Sequence, residues 1–162
     1  MLSAERLREL FEYDPANGLF RARVRRSNRQ FIGWSPGSPN KKGYFRFCID
    51  GILYYAHHLA WLYVFGYMPD EVDHRDTDHG NNRLRNLREA TRTQNNANSK
   101  KPTTNTTGLK GAHITERPDR WTARVGVRGK THCLGRFKSP EEAHAAYLAA
   151  AREHFGDFAR GE

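Results

Sequence analysis

The stretch EVDHRDTDHGNNRLRNLREATRTQNNAN, from Glu71 to Asn98, crowds two histidines and six asparagines among acidic and basic side chains. Asp73 offers a hard anionic oxygen and Asn95 a carbonyl oxygen. Two such ligands, completed by phosphate and water, suit Mg²⁺ or a similar divalent ion. His74, with an ordinary pKa of ~6.5, can take a proton from water beside that ion. Asn86 can fix the histidine ring by hydrogen bonding. Together these groups form an apparatus for phosphodiester hydrolysis with one metal, the ion stabilising charge on the phosphate and the leaving oxygen. The residue types alone leave a polar structural loop as the alternative.

Such chemistry needs elements that bring the four residues together. Val72-Asp73-His74 reads as a strand end after Met68-Pro69, and NLREAT as a second short extended piece. Thr91 then starts a helix, with Gln94 as its capping-box partner. The order is strand, loop, strand, helix, and a hairpin with a helix packed across it would gather Asp73, His74, Asn86 and Asn95. Upstream, LSAERLRELFEYDPANG reads as a short helix closed by a turn. In LFRARVRR, Arg21, Arg23 and Arg25 alternate onto one strand face, either solvated or contacting phosphates. FIGWSPGSPNKKG is loop chemistry. YFRFCIDGILYYAH reads as a hairpin about Asp50-Gly51. HHLAWLYVFGYMP reads as a helix with Leu59, Trp61, Leu62 and Phe65 in the core, opened by His57 and His58 as packing or hydrogen-bonding groups.

The chain of 162 residues carries a net charge of +9, unevenly spread. Residues 100–138 hold ten Lys/Arg and two Asp/Glu, whereas 139–162 hold two and five. A concentrated basic segment points to a polyanion, most simply nucleic acid. No apolar run approaches the ~18 residues of a membrane span, and no signal segment opens the chain. A soluble, cytoplasmic protein is expected, with no membrane partner and no small-molecule cofactor. Cys48 and Cys133 read as buried or incidental thiols; two cysteines cannot build a four-cysteine zinc site, and no structural zinc is expected.

SKKPTTNTTG reads as a linker, placed at 100–107. Three short strands follow: LKGAHI, RWTARVGVR and KTHCLGRF, the last two joined at Arg128-Gly129-Lys130. SPEEAHAAYLAAAREHFG is a helix with Ser139 as cap, Pro140 in its first turn, and Ala143, Ala146, Tyr147 and Ala150 on one face. Alternation puts Thr122, Arg124, Gly126 and Arg128 on one strand face and Trp121, Ala123, Val125 and Val127 on the other.

VDH, NNRLRNLREAT and TQNN, with Asn86 twelve and Asn95 twenty-one residues after His74, resemble the HNH (ββα-metal) endonucleases of the phage and intron-encoded branch. The resemblance implies that His74 is the general base, that Asp73 and Asn95 bind the metal, and that Asn86 holds the metal loop and orients the base. His57 has the usual position in the helix preceding the motif, and YDPANGLF and KKGYFRFCIDG resemble the branch's amino-terminal extension. These motifs cover roughly residues 5–98. The ion implied is Mg²⁺ or Mn²⁺ and the substrate double-stranded DNA.

TTGLKGAHITERPDRWTARVGVRGKTHCLGRFKSPEEAHAAYLAAAREHFGDFA resembles the plant ethylene-response-factor (APETALA-two) DNA-binding domain. There a three-stranded sheet lies in the major groove with a helix behind it. This implies Lys110, Thr122, Arg124 and Arg128 as DNA contacts. The expectation is an α+β chain: an HNH nuclease module at 1–99, a linker at 100–107, and a sheet-and-helix DNA binder at 108–162. Homing or a related phage function is what the resemblance implies, and a monomer with one active site should nick. The rival readings are a DNA-binding regulator with an inactive nuclease motif and a nuclease acting on RNA or junctions.

Overall fold

The computed structural model describes residues 2–25, 33–101, 105–116 and 120–161. The chain divides into two compact units, Met1–Ala90 and Thr91–Glu162.

In the first unit, α1 (Ala4–Leu10) is capped by Ser3, whose side chain accepts from the Arg6 amide. Ala4, Leu7 and Leu10 form its buried stripe. The helix stops at Phe11, and the residues expected to continue toward the turn are a strand, β1 (Phe11–Asp14). It pairs antiparallel with β2 (Leu19–Ala22). The alternation of Phe11 and Tyr13 inward decides this, because those rings pack on Phe20, and Phe11 also meets Phe47 edge-on. The second strand ends at Ala22, so Arg21, Arg23 and Arg25 do not share a strand face. Arg21 is ion-paired with Glu12 and lies 4.9 Å over the Trp34 ring. Arg26, at the end of that expected strand, lies outside the described residues.

A second sheet has the order β3 (Ser38–Pro39), β4 (Phe45–Ile49), β5 (Ile52–Tyr55), all antiparallel. Its hairpin turns at Asp50 and Gly51, with φ of 50° and 80°, as the sequence implies. The helix α2 (Ala56–Phe65) follows at once and buries His57, Leu59, Trp61 and Leu62, while Phe65 is exposed. A third sheet pairs β6 (Glu71–His74) with β7 (Leu87–Ala90). Leu7, Leu10, Phe11, Phe20, Ile49, Leu59, Leu62, Val72 and Leu87 form one core.

The second unit begins with α3 (Arg92–Asn98), capped by the reciprocal Thr91–Gln94 box that the sequence implies. A three-stranded antiparallel sheet follows, in the order β10 (Lys130–Phe137), β9 (Trp121–Val127), β8 (Ala112–Ile114). One face packs on α4 (Pro140–Phe155), where Ala143, Tyr147 and Ala151 meet Ala112, Ala123 and Val125. Gly111 marks the closest approach: φ is +78°, and a β-carbon there would fall 2.1 Å from Tyr147 Cγ. The fold is α+β with small antiparallel sheets, ending in a three-stranded sheet packed on a helix.

The units divide at 90/91, ahead of the expected linker, because α3 is bonded into the second unit. Of that linker, 102–104 lie outside the described residues. Cys48 and Cys133, expected to be buried or incidental, are both exposed, and neither is in a disulfide. Among the described residues no helix is long and apolar enough to cross a membrane.

Candidate active site and basic sheet face

The hairpin of β6 and β7 places Asp73 opposite Arg88 and His74 opposite Leu87. Both members of the first pair are buried, and Arg88 Nε donates to Asp73 Oδ2 at 2.8 Å. An ion pair this deep fixes the carboxylate's orientation, because either charge alone would be costly to keep out of water. His74 is 3 % exposed, and its Nε2 lies 3.1 Å from Oδ1 of Asn82, itself 1 % exposed. An amide oxygen only accepts, so Nε2 donates, and the neutral ring carries its lone pair on Nδ1.

Burial pushes the His74 imidazole below its ordinary value, with the Asn82 hydrogen bond opposing. The ring is therefore neutral at pH 7 and able to accept a proton. Its surroundings are aromatic. His57 meets it edge-on at 5.0 Å between centroids, and Tyr44 lies at 6.0 Å, stacked on His79 at 3.9 Å. His57 is pushed down to about 2 by burial, then by the neighbouring His58, His74 and His79. Among the described residues its Nδ1 is buried with no hydrogen-bond partner.

The Asn86 amide ties the two ends of the connection from 75 to 86. Asn86 Nδ2 donates to Asp76 Oδ1 at 2.9 Å and to Asn81 O at 2.8 Å, and Asn86 Oδ1 accepts from the Asp76 amide at 3.2 Å. Burial raises the Asp76 carboxyl, but hydrogen bonds from Asn81, the Asp78 amide and Asn86, with His74 nearby, hold it below its ordinary range. Asn86 thus braces the loop, and the contact to the histidine ring expected of it is made by Asn82. From the other side, Tyr13 donates its hydroxyl to Asn82 O at 2.7 Å and Leu84 N donates to Pro15 O at 3.0 Å. Gly18 lies so close that a β-carbon there would fall 2.5 Å from Arg83 N.

Asp73, His74 and Asn86 therefore stand on one hairpin of the first unit, whereas Asn95 stands half-buried on α3 in the second. As donors, a fixed carboxylate and an amide oxygen fit a hard divalent cation, since a carboxylate can accept from Arg88 and face a cation at once. Among the described residues no three His, Cys, Asp or Glu side chains gather as a metal cage. Sequence reasoning missed Asn82, Arg88, Tyr44 and His79. Arg88 was within reach, because pairing His74 with Leu87 puts it opposite Asp73.

In the second unit, Arg124 is exposed on the sheet face away from α4, as expected. Thr122 shares that face by alternation but is buried between its register partners His113 and Arg136. Arg128 is not a strand residue; it sits exposed in the hairpin turn with φ of 49°. Lys110 is corrected outright. It is 8 % exposed, and its Nζ donates to Ala97 O and Ser99 O, each at 2.6 Å. Burial, with the Arg160 charge adding to it, lowers its pKa to about 8. A side chain so enclosed is not a surface contact for DNA.

Comparison with known proteins supports the reading of the hairpin. A family model described as HNH endonuclease matches residues 54–97. Protein 3.8 of Escherichia phage T7 is 35 % identical over 108 residues, covering 64 % of this chain and 87 % of that protein. No solved structure matches. HNH nucleases generally use a divalent metal, and DNA is the substrate such a domain implies. The chain belongs to the family of phage T7 Protein 3.8 and carries, at residues 54–97, an HNH endonuclease domain.

Proposed function

We propose that the chain is a metal-dependent DNA endonuclease in which His74 activates water for phosphodiester hydrolysis. The observation that carries this reading is the buried, neutral His74 ring donating from Nε2 to Asn82, which leaves Nδ1 as the basic atom. By their places in the sequence motif, Asp73 and Asn95 would hold a divalent ion, Mg²⁺ or Mn²⁺. When bound, that ion stabilises charge on the phosphate and on the leaving oxygen. Arg88 keeps the Asp73 carboxylate oriented, and Asn86 keeps the loop closed. The sheet of the second unit reads double-stranded DNA through Arg124 and Arg136, in the manner of the ethylene-response-factor domains. One such site per chain cuts one strand per visit, so a monomer nicks.

The Asp73–Arg88 ion pair favours a second reading, a DNA-binding protein whose carboxylate is neutralised and whose nuclease motif is silent. Supercoiled plasmid separates the two. Under the first reading the protein converts it to nicked circles in Mg²⁺ and not in excess chelator. His74→Ala then slows cutting by ~10²–10⁴-fold, the usual contribution of a general base, and leaves DNA affinity unchanged. Tight DNA binding with no cutting in Mg²⁺ or Mn²⁺ establishes the second reading instead.

A further inference from the structure

We infer that Lys110 is a positioning residue for the nuclease: from within the sheet module it holds the carboxyl end of α3 and so sets Asn95 in place. The inference rests on the reading of Asn95 as a metal ligand. The helix has only seven residues, too few to be stable alone. Its amino end is secured by the Thr91–Gln94 box, but its last turn carries no basic residue to meet the carbonyls there. Lys110 supplies that charge from thirteen residues away, with Nζ at 2.6 Å from both Ala97 O and Ser99 O. Ala97 is two residues from Asn95, so a helix end released at 97–99 frees the turn that bears the ligand.

The anchor is itself rigid. Lys110 O accepts from His144 Nδ1 of α4 at 2.7 Å. The next residue, Gly111, lies against Tyr147, and its carbonyl accepts from Arg124 N at 3.0 Å. The backbone that carries Lys110 is thereby bonded both to α4 and to the strand that bears Arg124. The helix holding the third motif residue is thus built into the module expected to read DNA.

The test uses full-length Lys110→Met, Lys110→Arg and Asn95→Ala, and the double variant Lys110→Met/Asn95→Ala. Mn²⁺ binding is measured by calorimetry, DNA affinity in chelator, and amide hydrogen exchange across 92–99. Outer partners of a metal site typically alter affinity by ~10–100-fold, and Lys110→Met is expected to weaken Mn²⁺ by about tenfold. It also speeds exchange in α3 and leaves DNA affinity unchanged. Lys110→Arg, which keeps the charge, falls between wild type and Lys110→Met, and it serves alone should the methionine variant not fold. In the Asn95→Ala background Lys110→Met causes no further loss, because the effect passes through Asn95. An unchanged Mn²⁺ affinity in folded Lys110 variants, or full additivity with Asn95→Ala, overturns the assignment. If Asn95→Ala itself binds Mn²⁺ normally, the reading of Asn95 as a ligand fails first, and this inference falls with it.

Discussion

His74 Nε2 and Asn82 Oδ1 stand 3.1 Å apart in a buried hydrogen bond across a loop. It fixes both the tautomer and the ring orientation. Asn82→Ala should therefore slow metal-dependent cutting by ~10–100-fold, as losses of orienting partners commonly do. It should also cost ~1–3 kcal/mol of stability by leaving the ring donor unpaired. Single-turnover nicking and denaturant melts measure the two effects. Full-rate cutting by a folded Asn82→Ala protein would remove this hydrogen bond from the chemistry.

Arg88 and Asp73 make a test that does not depend on cutting. Removing one partner of a buried ion pair costs ~3–5 kcal/mol, so Arg88→Ala should melt well below the wild type in chelator. If Asp73 is a metal ligand, a divalent cation can take over from the missing positive charge. Mg²⁺ should then raise the melting temperature of Arg88→Ala more than that of the wild type. Equal or absent shifts in the two proteins would argue that Asp73 serves only Arg88.

The buried histidines make the first unit acid-sensitive. His57 is held neutral down to about 2, far below its ordinary value, and His58 and His74 are displaced the same way. Between ~6.5 and about 2 the unfolded chain binds the His57 proton and the folded chain does not, so acid favours unfolding. The stability contributed is complete above ~6.5 and is lost as pH falls toward the folded value. Melting temperature should drop on acidification from about pH 7 to about pH 5, and less steeply in His57→Phe. A wild-type profile no steeper than that of His57→Phe would show that His57 is not the acid-labile group.

On the sheet face, Arg124 and Arg136 are exposed and lie on adjacent paired strands. Replacing both with Ala should weaken DNA binding at physiological salt. The slope of log affinity against log salt should become shallower by ~0.9 for each phosphate that is no longer neutralised. His74-dependent nicking at saturating protein should survive. An unchanged salt slope would move recognition to another basic surface.

Short-range grammar is legible in the sequence. Thr91 with Gln94, and Ser139 accepting from the Glu142 amide, cap their helices as read, because a cap and its partner lie within one turn. The Asp50-Gly51 turn is local for the same reason. What the sequence does not disclose depends on distant partners. Phe11–Asp14 is a strand because its rings meet Phe20 and also Phe47, and the latter lies far beyond any local window around residue 11. Lys110 resembles a DNA contact by type, yet its acceptors are main-chain carbonyls at 97 and 99, and carbonyls carry no sequence signal. Asn82 yields to Asn86 in a sequence reading because the spacing of the motif does not say which amide faces the ring.

The braces from Tyr13, Pro15 and Gly18 to the 82–84 backbone separate two boundaries that are easily equated. Residues 54–97 carry the family's recognisable letters, but the walls around Asn82 are supplied from far upstream, by the first hairpin. The HNH motif should therefore not be portable on its own. Grafted onto another scaffold at its sequence limits, it would keep its histidine and lose the cradle that aims it. A transplant that works must bring the first hairpin with it, and a natural homologue that shortened its amino terminus would have to rebuild that support from another part of its chain.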